Sequence, residues 1–424
     1  MEEKQFDMYW NELVKPQIKE LLTEYGPVGL IWFDTAGGLS KEASEGIVAH
    51  VRRLQPDCLI NSRVSHVQGM GDYQSKGDNE TPMYGEESRP WEMPMTMNGT
   101  WGYSPKDQAW KPIDSLIRML ANIVSKGGNL LLNVGPSPKG TIPEPAVERL
   151  REIGAWTERN AEAIYGTSAS PFPYEFDWGT MTAKPGRLFL HVFNDKWPRG
   201  QLKLQGMRSR VIKAYLLADP LKRELPLTHT YHGGTERQTL SISLPVTAPD
   251  RAVSVIVLEI EDVNDLDTGF TVLPSGMLKI DVTSGEVTTA EALGDETSAA
   301  RRAVWDIAVA EPGTYALSLI SFKRVDAALS DSYVDGIRLT FAGEAIETVP
   351  QEDSVVSESP ACEHPYKEVH SRLAEVFIPA PGIYELTLTF SLIQERNPNF
   401  IEIGQADKVK LRSVMLERLD SQQR

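Results

Sequence analysis

Two patterns of apolar residues divide the chain into an amino-terminal part and a longer carboxyl-terminal part. Up to about residue 167, short apolar runs alternate with stretches in which apolar residues recur at helical spacing, and this alternation predicts strand–helix units and a parallel sheet. From residue 168 onward, short alternating segments predict antiparallel strands. The predicted helices lie at residues 10–22, 42–54, 113–124 and 147–156.

Three apolar runs of the amino-terminal part end in polar residues. The run at 29–33 is followed by Asp34 and by the small residues of 35–38, the run at 58–60 by residues 61–63, and a third run occupies 129–134. Because side chains at the carboxyl ends of parallel strands face a crevice or a barrel mouth, Asp34 is placed to take part in chemistry. The alternative is an ordinary aspartate that caps the next helix.

Residues 64–111 lack either periodicity and are rich in glycine, proline, methionine and tryptophan. We therefore predict a long loop. Connections of this length are uncommon in compact domains unless they carry function or are disordered. The aromatic residues in this segment favour a functional loop.

The carboxyl-terminal part reads as two antiparallel β-sandwich domains, at residues 168–262 and 268–424, joined by an acidic linker at 261–265. The second contains a weak repeat, EPGTYAL at 311–317 and APGIYEL at 380–386, in which a Pro-Gly turn leads into a strand. A jelly-roll-like sandwich is common among carbohydrate-binding modules, and a purely structural sandwich is the alternative. We expect residues 268–424 to fold alone. Predicted strands of the first sandwich lie at 187–193, 211–217, 239–244 and 252–260.

Composition narrows the classes of ligand. The 424 residues carry a formal net charge of -16, which disfavours nucleic acid and anionic membrane surfaces as partners. The two cysteines, Cys58 and Cys362, are far apart and predict no disulfide framework, and the seven histidines lack the spacing of a zinc site. We expect no cofactor and no metal. The polar start of the chain lacks a signal peptide and predicts a cytoplasmic protein if Met1 is the true start.

Candidate chemistry is concentrated in the amino-terminal part, where carboxylates and tryptophans occur together. Sugar hydrolysis needs one carboxylate to attack or stabilise an oxocarbenium-like centre and a second to protonate the leaving oxygen. Aromatic rings bind the apolar faces of sugars. The strand ends and the long loop supply Trp32, Asp34, Asn61, Arg63, Asp72, Asp78, Glu80, Glu92 and Trp101.

A series of ordered motifs across about residues 7–260 resembles the α-L-fucosidases of glycoside hydrolase family 29. The resemblance implies a (β/α)8, TIM-like barrel, a retaining mechanism and a fucosylated glycan as the substrate. It covers most of the first two predicted domains. The motifs are VKPQ at 14–17, YGPVG at 25–29, IWFD at 31–34, NSR at 61–63, GDNE at 77–80, PWE at 90–92, TWGY at 100–103 and GGNLLLNVGP at 127–136.

The resemblance also implies roles for individual residues. Asp34 matches the nucleophile, and Trp32 and Arg63 match residues of the sugar pocket. For the general acid/base we prefer Glu80, because it follows the strand at 58–63 in the region where members of the family place an acidic side chain. The rival candidate is Glu92, which lies in a Trp-Glu pair typical of the family. The alternative role for Glu92 is that of a buried acid that braces the site. Trp101 of the TWGY motif is a further predicted substrate contact.

The amino end departs from the family. Residues 1–167 match only the later units of a barrel that takes about 250 residues, and nothing matches the early strands with their histidines and His-x-x-Trp segment. We therefore expect α/β plus all-β architecture with a partial barrel, from a truncated gene model or a fragment, with little activity of its own. If the amino terminus is missing, the protein is periplasmic or secreted. The alternative function is a non-catalytic carbohydrate-binding protein with a relict half-barrel.

Overall fold

The computed structural model describes residues 8–34, 39–67, 69–85, 89–232, 237–284, 286–289, 300–334, 336–356, 359, 361–362, 364–391, 401–403 and 408–419. The chain divides into two compact units, the first comprising Met1–Asp78 with Glu87–Pro94 and the second Asn79–Glu86 with Met95–Arg424. The small residues at 35–38, which we expected to follow the first strand, lie outside the described residues. No helix in the described ranges has the length and apolar character required to cross a bilayer.

The first unit consists of short parallel strands and two helices. A π-helical turn at Trp10–Val14 leads into the first helix, and the cap of the second is Ser40, whose hydroxyl accepts a hydrogen bond from the backbone N–H of Ala43. The elements are α1 (Lys15–Glu24), β1 (Leu30–Ile31), α2 (Lys41–Leu54), β2 (Leu59–Ile60), β3 (Gln74–Ser75) and the start of β4 (Trp91–Thr96).

Strand pairing in the first unit is parallel, as the alternating pattern predicts. β1 pairs with β2, Asn61 forms a parallel bridge with Tyr73, and β3 pairs with β4. The helices cover these strands with a small core that includes Ile18, Val51 and Ile60. The predicted loop at 64–111 is wrong in part, because it contains β3 and β4, and all six residues of β4 are buried. Its sequence, WEMPMT, lacks the alternation that marks a strand.

The second unit includes the rest of β4 and two long helices, α3 (Ile113–Ser125) and α4 (Glu144–Asn160), on either side of β5 (Asn129–Asn133). Helix α3 ends as Gly127-Gly128 predicts: Gly127 has a φ of 81°, and the N–H groups of the two glycines bond to the carbonyls of Val124 and Ile123. The helices share a core with the following sheet, in which Trp156 donates a hydrogen bond to the carbonyl of Val253 at 2.8 Å.

Antiparallel sheets follow. One has the order β6-β7-β12-β9 and another β10-β11-β8. The bounds of β7, β9, β11 and β12 agree with the four predicted strands to within two residues, whereas β6, β8 and β10 were not predicted. The strands are β6 (Gly179–Lys184), β7 (Arg187–Phe193), β8 (Gln201–Gln205), β9 (Val211–Leu216), β10 (Leu227–His232), β11 (Arg237–Ser243) and β12 (Val253–Ile260).

The rest of the second unit forms two further sheets, β13-β16-β22-β18-β19 with β15 beside β16, and β14-β24-β17-β21-β20 with β23 beside β24. The strands are β13 (Phe270–Thr271), β14 (Met277–Asp281), β15 (Glu286–Thr289), β16 (Ala300–Val309), β17 (Gly313–Arg324), β18 (Ile337–Phe341), β19 (Glu344–Thr348), β20 (Ser354–Val356), β21 (Tyr366–Ile378), β22 (Gly382–Ser391), β23 (Ile401–Ile403) and β24 (Val409–Arg418), with a short helix α5 (Leu329–Ser332).

The acidic linker is part of the folded structure. The backbone of Ser209 donates to the carbonyl of Asp265, and the N–H of Asp267 donates to the carbonyl of Gly206. One hydrophobic core includes residues from the sheets on both sides, such as Leu190 and Leu416. We therefore revise the expectation that residues 268–424 fold alone, because a separated tail would lose part of its core.

The Pro-Gly repeat has the same local geometry at both sites. Tyr315 at the start of β17 donates its hydroxyl to the carbonyl of Glu311 at 2.7 Å, and Tyr384 at the start of β22 donates to the carbonyl of Ala380 at 2.7 Å. The two strands lie in different sheets. The repeated hydrogen bond closes each Pro-Gly turn, and burial raises the pKa of Tyr315.

The two tyrosines form a matched pair for a stability measurement. Tyr315→Phe is expected to destabilise the protein by about 1–2 kcal/mol, since Tyr315 is fully buried and the Glu311 carbonyl would lose its partner. Tyr384→Phe should cost less, because Tyr384 is partly exposed and water can replace the hydroxyl. Urea unfolding of both variants measures the difference, and equal losses would contradict it.

Candidate functional site

Arg63 is the hub of a polar cluster in the first unit. It lies in a short 3-10 turn, Ser62–Val64, that follows β2. Its Nη1 donates to Oδ1 of Asp34 at 3.2 Å, and its Nη2 donates to Oδ1 of Asp78 at 2.5 Å. The Arg63 side chain is only 19% exposed, whereas those of Asp34 and Asp78 are 53% and 43% exposed. One fixed guanidinium therefore orients two accessible carboxylates.

The guanidinium of Arg63 is itself held in place. Its Nε donates to the hydroxyl of Ser75 at 3.1 Å, and its Nη2 also donates to the carbonyl of Lys76 at 2.7 Å. The ring of Trp32 lies against it, with the Arg63 Cζ atom 4.9 Å from the ring centroid. These contacts come from β3 and from the end of β1, so the parallel pairing of short strands fixes the cluster.

Glu92 lies on β4 and is 9% exposed. Its Oε1 accepts hydrogen bonds from Nε1 of Trp32 and from the hydroxyl of Tyr73, the latter at 3.3 Å. Burial raises the pKa of Tyr73, and the neighbouring Glu92 carboxylate raises it further. Tyr73 therefore stays protonated and serves as a donor. Through the Trp32 indole, Glu92 is linked to the same cluster as Arg63 and Asp34.

Asn61 positions the strand end that carries Trp32 and Asp34. The structure gives β1 only as Leu30–Ile31, shorter than the predicted run. Beyond it, the Asn61 side chain takes over from strand pairing: its Oδ1 accepts from the N–H of Phe33, and its Nδ2 donates to the carbonyl of Phe33, both at 2.8 Å. Asn61 is fully buried. This amide therefore aligns the residues on either side of Phe33.

Asp72 has a structural role, although it was grouped with the candidate residues. Its two carboxylate oxygens accept from Nη2 of Arg52 at 2.5 Å, and Oδ2 also accepts from the N–H of Ile60 at 2.7 Å. These contacts brace α2 against β2.

Tyr73, the next residue, was missed as a functional candidate because β3 was not predicted and nothing marked this tyrosine as facing Glu92.

Glu80 belongs to the second unit, where it is paired with two cations of β24. Its carboxylate accepts from Nζ of Lys410 at 2.8 Å and from Nη1 of Arg412 at 3.2 Å. The side chain of Glu80 is 12% exposed and those of both cations are 6% exposed. Both carboxylate oxygens are thus engaged in a buried ionic cluster, which is a stabilising arrangement and argues against Glu80 as a mobile proton donor.

Removing the Glu80 carboxylate should therefore destabilise the second unit. Glu80→Ala is expected to cost about 3–5 kcal/mol, because it leaves Lys410 and Arg412 buried without their carboxylate. The exposed residue Glu158 on α4 supplies the control, and Glu158→Ala should be close to neutral. Chemical denaturation of the two variants checks this. Equal stability would show that the ion cluster contributes nothing.

Trp101 also lies in the second unit, in the loop between β4 and α3. The backbone carbonyl of Trp101 accepts a hydrogen bond of 2.8 Å from Nδ2 of Asn133, which lies at the end of β5. Trp101 is 40% exposed. The backbone contact ties this loop to the carboxyl end of a strand. The exposed indole is available to a ligand, and its contact with substrate stays a prediction.

Comparison with known proteins identifies relatives. The α-L-fucosidase family model matches residues 1–162. The human plasma α-L-fucosidase is 32% identical over 204 residues, which are 45% of this chain and 43% of that protein. The chain spans less than half the length of such curated relatives.

Solved structures extend the similarity to the β-rich part. The crystal structure of α-L-fucosidase from Vibrio sp. strain EJY3 aligns with a TM-score of 0.79 and 27% identity, covering 97% of this chain and 70% of that chain. A Bacteroides thetaiotaomicron α-L-fucosidase of family GH29, trapped as a covalent intermediate with 2-fluoro-fucosyl fluoride, aligns with a TM-score of 0.50 and 25% identity, covering 59% of this chain and 60% of that chain. The chain therefore shares a sheet-rich fold with fucosidases.

Proposed function

We propose that this chain, whose residues 1–162 match the α-L-fucosidase family model, is the carboxyl-terminal portion of a retaining exo-glycosidase that releases terminal α-L-fucose from glycans. The observation that carries the proposal is the Arg63 cluster. In this cluster, Arg63 holds the half-exposed carboxylate of Asp34 near the end of a parallel strand. The Trp32 indole contacts Arg63 and also donates a hydrogen bond to the buried carboxylate of Glu92.

The strand pairing also supports a division of the chain into three domains. We propose that residues 1–167 are the later units of a (β/α)8 barrel, that 168–262 form a β-sandwich, and that 268–424 form a second, jelly-roll-like sandwich. The parallel series from β1 to β4 supports the first assignment, and the paired antiparallel sheets support the others. The 97% coverage by the Vibrio fucosidase alignment is consistent with a shared domain order.

The proposed mechanism assigns a different step to each carboxylate. Asp34 attacks the anomeric carbon of the fucoside and forms a glycosyl-enzyme ester, while the bond from that carbon to the leaving oxygen breaks and Glu92 gives its proton to this oxygen. Water then attacks the same anomeric carbon while Glu92 takes a proton from the water, and the bond from that carbon to the Asp34 oxygen breaks, which releases fucose and the free Asp34 carboxylate. The covalent intermediate of the Bacteroides relative supports a retaining mechanism.

Glu92 replaces Glu80 as the proposed acid/base. Glu92 lies in the same unit as Asp34, and the Trp32 and Tyr73 donors fix its orientation. Glu80 is held by Lys410 and Arg412 instead. A general acid must exchange its proton with substrate and water during turnover, and a carboxylate engaged by two buried cations is poorly suited to that role.

A non-catalytic glycan-binding protein is the second candidate, and the exposure of two strand residues favours it. Leu30 on β1 and Leu59 on β2 are 41% and 47% exposed, although strands of a closed barrel bury such side chains. A pocket that lacks walls cannot hold a sugar ring in register with Asp34. We therefore propose that the 424-residue chain alone has little fucosidase activity.

The experiment compares this chain with a completed protein, in which the segment of the Vibrio fucosidase that precedes its first aligned residue is joined to the amino terminus of this chain. The completed protein is expected to hydrolyse an aryl α-L-fucoside at least about 10³ times faster than the chain alone, because correct placement of all reacting groups supplies several kcal/mol. A folded completed protein without activity would favour the glycan-binding alternative, and full activity of the chain alone would refute the proposed incompleteness.

A further inference from the structure

A cavity of about 400 Å³ lies within the second unit, and its lining residues include none of those assigned to catalysis. Helix α3 supplies one wall through Arg118 and Asn122, and β14 supplies another through Lys279 and Asp281. The volume is within the range of small-molecule sites, about 300–1,000 Å³. Its lining combines apolar surface with several charged side chains, and the arrangement of those charges indicates what the cavity could bind.

Opposite charges inside the cavity compensate one another. Lys126 is 3.3 Å from the carboxylate of Glu175. Burial lowers the pKa of Lys279, but the carboxylates of Glu175, Asp281 and Glu368 outweigh it and raise the pKa above its ordinary value. Burial raises the pKa of Glu175, but Lys126 and Lys279 outweigh it and lower this pKa overall. The wall therefore carries both charged donors and charged acceptors.

The remaining cations of the wall are Arg118, Lys196 and Arg412. Burial raises the pKa of Asp177, and the nearby charge of Lys196 opposes that rise. Arg118 pairs with Asp195 at 2.8 Å, and Arg412 pairs with Glu80 at 3.2 Å. The two ring faces in the lining are covered by guanidinium groups, since the Arg412 Cζ atom lies 4.7 Å from the Phe322 ring centroid and Arg118 lies over Phe193. The carboxylates among and beside these cations disfavour an anion in the cavity, and the net charge of -16 disfavours one further.

Two polar atoms of the wall lack partners. Among the described residues, no group hydrogen bonds to Oδ1 of Asn122 or to Nε of Arg118, although both atoms are buried. The two residues are one helical turn apart on α3 and so lie on the same face. One atom is an acceptor and the other a donor. Buried polar groups without partners are rare in folded proteins and call for a ligand or another specific cause.

We propose that this cavity is a second, non-catalytic site that binds a neutral saccharide unit. Each sugar hydroxyl both donates and accepts hydrogen bonds, which matches a wall where Lys279 and Arg118 donate and where Asp281 and Asn122 accept. A neutral ligand leaves the internal charge balance unchanged. The site would hold a part of a glycan chain without breaking it, which is a binding function separate from the proposed hydrolysis.

Met119 lines the cavity, and its methyl group serves as the probe. The full chain is labelled with ¹³C-methyl methionine and observed by NMR. The Met119→Leu variant assigns the Met119 signal, because that signal is lost from its spectrum. Lactose, D-galactose and L-fucose are the probes, with sodium phosphate as the anionic comparison. At least one sugar is expected to shift the Met119 signal saturably, and phosphate is not. No shift with any sugar, or a saturable shift with phosphate alone, would overturn the proposal.

Three variants test whether the sugar binds in this cavity. Ser115 is an exposed residue of the lining on α3, and Ser115→Trp should place an indole in the cavity and weaken sugar binding by at least about tenfold. Glu152→Trp, at an exposed position on α4, is the matched control and should bind normally. Asp34→Gly should also bind normally, which separates this site from the proposed hydrolysis. Unchanged binding in Ser115→Trp would contradict the location.

Discussion

Asp34→Gly in the completed protein is expected to reduce turnover of an aryl α-L-fucoside by at least about 10³-fold, since the variant lacks the carboxylate that is proposed to form the covalent ester. The space left by the side chain should then admit azide. Added azide is expected to restore part of the rate and to give a fucosyl azide, because the small anion attacks in place of the carboxylate. The measurement is the release of the aryl alcohol with and without azide.

Asp78→Ala is the matched control for this prediction. Asp78 contacts the same guanidinium as Asp34, with its Oδ1 2.5 Å from Nη2 of Arg63, but it lies beyond β3 and not at the end of β1. Its removal should lower the rate through a less ordered Arg63, and azide should have no effect. Rescue of Asp78→Ala by azide, without rescue of Asp34→Gly, would move the nucleophile to Asp78.

Glu92→Ala in the completed protein is expected to slow hydrolysis of a fucosylated oligosaccharide by about 10²–10⁴-fold, the usual contribution of a general acid. An aryl fucoside with a good leaving group hardly needs protonation when the fucosyl-enzyme ester forms. This first step should therefore be largely spared for that substrate. Pre-steady-state release of the aryl alcohol, compared with steady-state hydrolysis of the oligosaccharide, measures the selectivity.

Glu80→Ala is the comparison that separates the two glutamates. Its expected effect is on the free energy of unfolding, because its partners are Lys410 and Arg412. At a temperature where the variant is folded, both substrates should be affected to a similar extent. A selective loss of the oligosaccharide reaction in Glu80→Ala, with uniform loss in Glu92→Ala, would restore Glu80 as the acid.

The elements that follow a clear periodicity were predictable from the sequence. The strand Arg187–Phe193 and the end of α3 at Gly127-Gly128 were confirmed, because local apolar alternation and glycine dihedral preferences decide them. The placement of Asp34 near Arg63 also follows from local rules. Each residue lies three positions after the end of one of two neighbouring parallel strands, and such strand ends meet at one edge of a sheet.

The roles of the two glutamates depended on contacts between distant parts of the chain. Glu80 meets Lys410 across 330 residues, and no local pattern records that pairing. Glu92 lies on β4, where methionine and proline conceal the strand and no alternation marks its face. The tyrosine that orients it, Tyr73, comes from a part of the chain predicted as loop. Side-chain partners brought together by tertiary packing are thus what the sequence did not reveal.

The most direct test of the account is covalent labelling of the completed protein with 2-fluoro-fucosyl fluoride, followed by peptide mass spectrometry. A retaining fucosidase with Asp34 as its nucleophile should gain the mass of one fluorofucosyl group, on the peptide that contains Asp34, and Asp34→Gly should gain none. A label on any other residue of an active protein, or turnover that forms no covalent intermediate and inverts the anomeric centre, would contradict the account.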